Sequence, residues 1–139
     1  MSTTPSIPTV QAVLQSTPYV VTLTDNLGHS WLADEPEDLG GGNTAPGPDR
    51  LILASLGACT AITVKMVAER RGLALTAVRV ALALNPAGQP EQGNDITRSI
   101  TLEGDLTEEQ RARLLQIANI CPMHRLLTGE VRIATSPAG

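Results

Sequence analysis

Residues 48–72 read PDRLILASLGACTAITVKMVAERRG, and this segment decides the architecture. Pro48 followed by Asp49 marks a helix start, because proline suits the first turn and a short carboxylate complements its free N–H groups. Gly72 stands where a left-handed C-cap is wanted, and Arg70 and Arg71 suit the negative end of the helix dipole. The expectation is one helix from Asp49 to about Arg71. Its first four turns are apolar on nearly every side, so it must be surrounded by protein. In a domain this small a sheet covers one side, and a second subunit is the natural cover for the other. The run Leu51 to Ala68 approaches membrane-span length. Ser55, Thr60, Thr63 and Lys65 interrupt it and no second span follows, which favours a buried core helix and no membrane.

Working outward, residues 1–6 read as a loose tail. From Pro8 to about Asp34 the pattern is of β type: TVQAVLQ, YVVTLTD and HSWLAD are three strand candidates, with NLG as a turn. Residues 35–49, EPEDLGGGNTAPGPD, form a Gly- and Pro-rich loop of the kind that often borders a site. Beyond the helix, LTAVRVALAL (75–84) and ITRSITLEGD (96–105) read as strands. LTEEQRARLLQIANI is an amphipathic helix capped by Thr107, CPMHRLLTG a short helix closed by Gly129, and EVRIATS a final strand. The order β-β-β, long α, β-β, α-α, β places the chain in the α+β class as one domain over 1–139.

Composition excludes several roles. A net charge of −4 offers no basic stripe for phosphates, and Tyr19 and Trp31 are the only aromatics, so nucleic acid is not the partner. The N-terminal stretch has no Lys or Arg and no apolar core of a signal peptide, which points to a cytoplasmic protein. In that reducing compartment two cysteines are reactive or free rather than a structural bridge.

Cys59 lies about two and a half turns into the long helix among Ala54, Gly57, Ala58 and Ala61, small residues that let a backbone or substrate approach. Two readings stand for it, an inert buried hydrophobe and a reactive thiol. Cys121 precedes Pro122, which places it near a helix N-terminus where a thiolate is favoured, and Arg125 four residues on is a candidate for added positive charge. Cys121 and His124 have CxxH spacing, but two Cys and two His in the whole chain, with His29 remote in a turn, make a poor four-ligand zinc set. No cofactor is implied. Hydrolytic Cys–His chemistry lacks a residue to orient His124.

Two segments, 47–73 and 96–127, closely resemble the OsmC/Ohr family of osmotically induced and organic-hydroperoxide-resistance proteins. The motifs that carry the resemblance are SLGAC ending at Cys59, Pro48-Asp49-Arg50-Leu51 ahead of it, and Cys121-Pro122 some sixty residues later. The resemblance implies an intertwined homodimer, with antiparallel sheets wrapped around two long central helices. It implies a reaction as well: Cys59 attacks an organic hydroperoxide and becomes a sulfenic acid, Cys121 condenses with it to a disulfide, and an external dithiol, in relatives often a lipoylated protein, reduces that bond. The family holds an arginine against a carboxylate beside the reactive cysteine. Asp49 falls at the carboxylate position, where Glu is usual. No Lys or Arg precedes Arg50, so the family's N-terminal arginine has no counterpart. Arg50, Arg98 and Arg125 are the candidates to replace it, with Arg125 favoured and Arg98 next. That departure leaves a second reading, an OsmC-fold small-molecule-binding or redox-sensing protein with little peroxidase activity. A pocket formed by Ile52, Leu56, Ile62, Thr63 and Met66 would prefer alkyl or fatty hydroperoxides to hydrogen peroxide.

Overall fold

The computed structural model describes residues 7–138, so the tail expected over residues 1–6 lies outside the described residues. The chain divides into two compact units, one ending at Ile52 and the other beginning at Leu53.

The first unit is an antiparallel meander of β1 (Val10–Leu14), β2 (Val21–Asp25) and β3 (Ser30–Ala33), with β2 central. Val10 pairs with Asp25 and Val21 with Ala33, and the β-branched residues of β2 fit this pleated surface. The β2–β3 turn is built by Asp25, whose Oδ1 accepts the N–H groups of Leu27 (2.8 Å) and His29 (2.9 Å), and Gly28 supplies a φ of 90°.

After β3, Asp34 is 1% exposed, and the loop to Gly47 is folded about its carboxylate. That carboxylate accepts the N–H groups of Glu35 (2.7 Å), Gly42 (3.2 Å) and Thr44 (3.1 Å) and the Thr44 hydroxyl (2.7 Å). These bonds, from the Thr44 N–H and hydroxyl above all, hold the Asp34 carboxyl below its ordinary range despite burial. The run of glycines is explained sterically: a Cβ at Gly41 would collide with the Glu35 carbonyl.

The long helix α1 spans Pro48–Arg70, one residue earlier at each end than the sequence suggests. It closes as expected on Gly72 (φ 66°), with Leu73 N–H bonded to Ala68 O and Gly72 N–H to Glu69 O in a Schellman arrangement.

In the second unit α1 is followed by a hairpin of β4 (Ala74–Leu84) and β5 (Ile96–Asp105), then α2 (Glu108–Ile117), a 3-10 turn (Ala118–Ile120) and α3 (Pro122–Thr128). α1 buries one i, i+4 stripe, Leu56, Thr60, Val64 and Ala68. Val64 and Ala68 pack with Leu75 and Leu102 of the hairpin and with Leu114 and Ala118. Although α1 is long and apolar enough to cross a membrane, this stripe makes it the core helix of the unit. Gly57 lets α1 approach β4, since a Cβ there would lie 2.9 Å from a Leu82 methyl. α2 begins in a capping box between Thr107 and Gln110 and is stitched to β5 by Arg111, which donates to Leu102 O (2.6 Å) and Gly104 O (2.9 Å).

One expected element does not form. Residues 130–138 carry no regular secondary structure, and Val131 and Ile133 are 56% and 86% exposed. EVRIATS has the alternation of a strand, but a strand needs a neighbouring edge to bond, and none pairs with it here.

Leu114, 1% exposed at the centre of the second unit, is the residue whose truncation should cost most. Leu114→Ala is expected to lower the unfolding free energy by about 2–5 kcal/mol, read from the urea midpoint. Asp34 contributes stability that is present above the ordinary aspartate pKa and lost as pH falls through its depressed folded value. Asp34→Asn places an amide where N–H donors converge, so it should destabilise at neutral pH and flatten that acid limb in urea titrations.

Candidate active site

The site lies in the second unit, where α1, β5 and α3 meet. Cys121 is the N-cap of α3: it sits in the extended region (φ −66°, ψ 144°), and its Sγ accepts the His124 N–H at 3.3 Å. Pro122 at the first helical position has no N–H, so the first turn presents fewer donors, and one of them goes to sulfur. Cys121 has no exposed surface, whereas Cys59 on α1 is half-buried. Both are free thiols.

The two sulfurs are neighbours, near enough for the Cys59 side chain to lower the Cys121 pKa. Cys59 Sγ also lies 4.0 Å from Thr63 Oγ1, and Cys121 Sγ lies 3.9 Å from Thr60 Oγ1. Thr60, fully buried on the α1 stripe, donates to Leu56 O (2.7 Å) and accepts from Arg98 Nη1 (3.0 Å). Arg98 Nη2 reaches Asn119 Oδ1 (3.1 Å) and His124 Nδ1 (3.0 Å). A guanidinium cannot accept, so His124 Nδ1 must, which fixes the imidazole tautomer with its hydrogen on Nε2.

The electrostatic result is decided by competition. Burial pushes the Cys121 thiol up, and it is the largest single influence. The His124 N–H, the Cys59 thiol, the Thr60 hydroxyl and the Arg98 charge together outweigh it, leaving the pKa below the ordinary thiol value.

Of the residues singled out in the sequence, the fold gathers Cys59, Cys121 and Arg98. Arg125 is exposed, and its bond to Cys121 runs from its backbone N–H to the Cys121 carbonyl (3.2 Å). Asp49 and Arg50 belong to the first unit and pair with each other at 3.2 Å, both well exposed. Thr60, Asn119 and His124 were not assigned to the site by the sequence. A threonine on an otherwise apolar buried stripe was the one available signal for Thr60.

The expected apolar pocket draws on a second copy as well, and the single chain shows where its own residues stand. Leu56 does line a cavity of about 690 Å³, with Ile96, Arg98, His124 and Leu127. Ile62 and Met66 instead line a separate shallow depression with Lys65 and Val78, and Ile52 belongs to the first unit.

Comparison with known proteins gives the family and the fold. The sequence model of a family described as OsmC-like protein matches residues 40–136. The fold is similar to that of an OsmC-like protein from Mycoplasma pneumoniae (17% identity, 91% of this chain and 90% of that one, TM-score 0.75). It is also similar to an organic hydroperoxide resistance protein from Elizabethkingia anophelis (20% identity, 92% of each chain, TM-score 0.67). A third similar structure is the organic hydroperoxide resistance protein OsmC from Legionella pneumophila (20% identity, 89% and 90% covered, TM-score 0.65). At these identities the likeness is one of fold. No curated protein sequence matches the chain.

If Arg98 stabilises a negative sulfur, Arg98→Met should raise the Cys121 thiol pKa. Thiolate absorbance followed against pH in a Cys59→Ala background, where one thiol titrates, reads this directly. An unmoved titration would mean that Arg98 only braces Thr60 and Asn119.

Proposed function

The chain belongs to the OsmC-like family, and on that premise we propose that it is a thiol peroxidase reducing organic hydroperoxides to alcohols. The observation that carries this reading is the pairing of a half-buried Cys59 with a fully buried Cys121 held as a helix cap beside Arg98. The accessible sulfur is the one a substrate can meet, so Cys59 attacks the peroxide and becomes the sulfenic acid. The shielded sulfur, already favoured as a thiolate, condenses with it, and the Cys59–Cys121 disulfide is returned to two thiols by an external dithiol, a lipoylated protein being one chemical candidate. Arg98 supplies the positive charge in place of an N-terminal arginine. The cytoplasm, where free thiols persist, suits both cysteines.

A homodimer fits the surface of α1. Its buried stripe leaves Ile62 (59% exposed) and Met66 (46% exposed) facing outward beside Ala54 and Ala58, and a second copy would cover them. The unpaired EVRIATS segment fits the same arrangement, since a partner sheet edge would satisfy it.

One observation favours the alternative of a binding or redox-sensing protein. Among the described residues no basic side chain is hydrogen-bonded to the Cys59 sulfur, which lies 4.0 Å from the Thr63 hydroxyl. Reaction of the reduced protein with tert-butyl hydroperoxide separates the two readings. The peroxidase should lose both thiols to an intramolecular disulfide, and Cys59→Ser should slow peroxide consumption by roughly three orders of magnitude or more. Survival of both wild-type thiols would reject the enzyme and leave the sensor or binding module.

A further inference from the structure

Arg98 is held by three acceptors of different kinds. Its Nη1 donates to Thr60 Oγ1 at 3.0 Å, and its Nη2 donates to Asn119 Oδ1 at 3.1 Å and to His124 Nδ1 at 3.0 Å. These acceptors stand on α1, the 3-10 turn and α3, so three elements together fix the guanidinium of a β5 residue. Thr60 accepts with its hydroxyl oxygen while its own hydrogen goes to Leu56 O at 2.7 Å. The threonine oxygen and the asparagine carbonyl accept at any ordinary pH. The imidazole does so at Nδ1 only while that nitrogen carries no proton. A ring protonated on both nitrogens has no lone pair for Arg98, and it sets a second positive charge against the guanidinium.

The ring of His124 and its backbone have separate partners. The N–H that meets Cys121 Sγ at 3.3 Å is a main-chain group, so that bond does not depend on the side chain. The charged and titratable groups around the ring come from every neighbouring element. Arg98 and Asp95 line the same cavity as His124, Cys121 and the exposed Arg125 flank it on its own segment, and Cys59 stands on α1. Of these, Arg98 is the group bonded to the ring.

We propose that His124 is a positioning residue of the thiol site: its neutral ring, accepting at Nδ1, closes a three-point cradle that keeps the Arg98 guanidinium on Thr60. The Thr60 hydroxyl oxygen lies 3.9 Å from Cys121 Sγ, so the cradle sets where the positive charge stands relative to the sulfur. The proposal deepens the peroxidase reading and rests on it for the use to which that charge is put. Protonation of the ring opens the cradle at one of its three points, and the guanidinium is then no longer fixed at Thr60. The site therefore requires a neutral His124 for a reason separate from the ionisation of either thiol.

The test uses the reduced, full-length chain. A guanidinium held at both Nη groups gives separate, slowly exchanging N–H signals in proton–nitrogen NMR spectra, whereas a free one gives averaged signals. The Arg98 set is identified by its loss in Arg98→Lys. Wild type should show held signals that average out as acid protonates the His124 ring, whose own signals are followed in the same samples. His124→Asn offers an amide oxygen in place of Nδ1 and does not titrate, so its Arg98 signals should stay held over that range. His124→Leu should show averaged signals throughout. Disulfide formation in single turnovers with tert-butyl hydroperoxide should follow the cradle. At neutral pH His124→Leu should be about tenfold slower than wild type, the size of one lost hydrogen bond to a charged group. His124→Asn should recover most of that rate and keep it further into acid than wild type does. The inference is overturned if Arg98 stays held in His124→Leu, or in wild type after the ring is protonated. It is overturned equally if asparagine loses the held signals as completely as leucine, since the ring would then act by packing alone. A wild type that shows the cradle but leaves the peroxide untouched would support the cradle and reject the peroxidase reading by itself.

Discussion

The hydrogen bond from the His124 N–H to the Cys121 sulfur is the contact on which the site depends. A sulfur with no exposed surface can carry charge only if fixed protein dipoles replace water. Here the first turn of α3 supplies one such dipole, and the same residue's imidazole accepts from Arg98. His124 therefore links the two stabilising devices. Its backbone faces the sulfur and its ring holds the guanidinium that braces Thr60. Loss of any one of these bonds loosens the others, because the donors and acceptors are shared among four side chains.

α1 has to satisfy two demands at once. Its Leu56–Thr60–Val64–Ala68 stripe closes the core of the second unit, and the polar member of that stripe is the one that reaches the site. Gly57 brings the helix close to β4, which sets how near Cys59 and Thr60 come to β5 and its Arg98. The opposite face of α1 is apolar and uncovered in a single chain.

Much of this was legible in the sequence, because much of it is local. The α1 stop at Gly72, the Thr107 cap and the strands of the hairpin follow from neighbours a few residues apart. So does the placement of Cys121 at a helix start, through Pro122. The choice of arginine was not local. Spacing of four residues favours Arg125 only if Cys121 is itself helical, and as an extended N-cap it turns its sulfur back toward the His124 N–H instead. Arg98 reaches the site through β-sheet register, where it stands opposite Leu82. Asn119 enters from a 3-10 turn that periodicity does not announce. The EVRIATS segment failed for the converse reason: alternation was present, but pairing is a property of two strands.

The nearness of Cys59 and Cys121 also has a consequence for the chain as a polymer. The two sulfurs stand on the first helix and the last, so a covalent bond between them would close a loop of about sixty residues and remove about 4 kcal/mol of disorder from the unfolded ensemble. The chain crossing from oxidised to reduced would then trade away a cross-link comparable in size to the loss of a large core side chain. Redox state and resistance to unfolding become one variable, so that turnover by proteases, which act on opened chains, would be fastest for the reduced form.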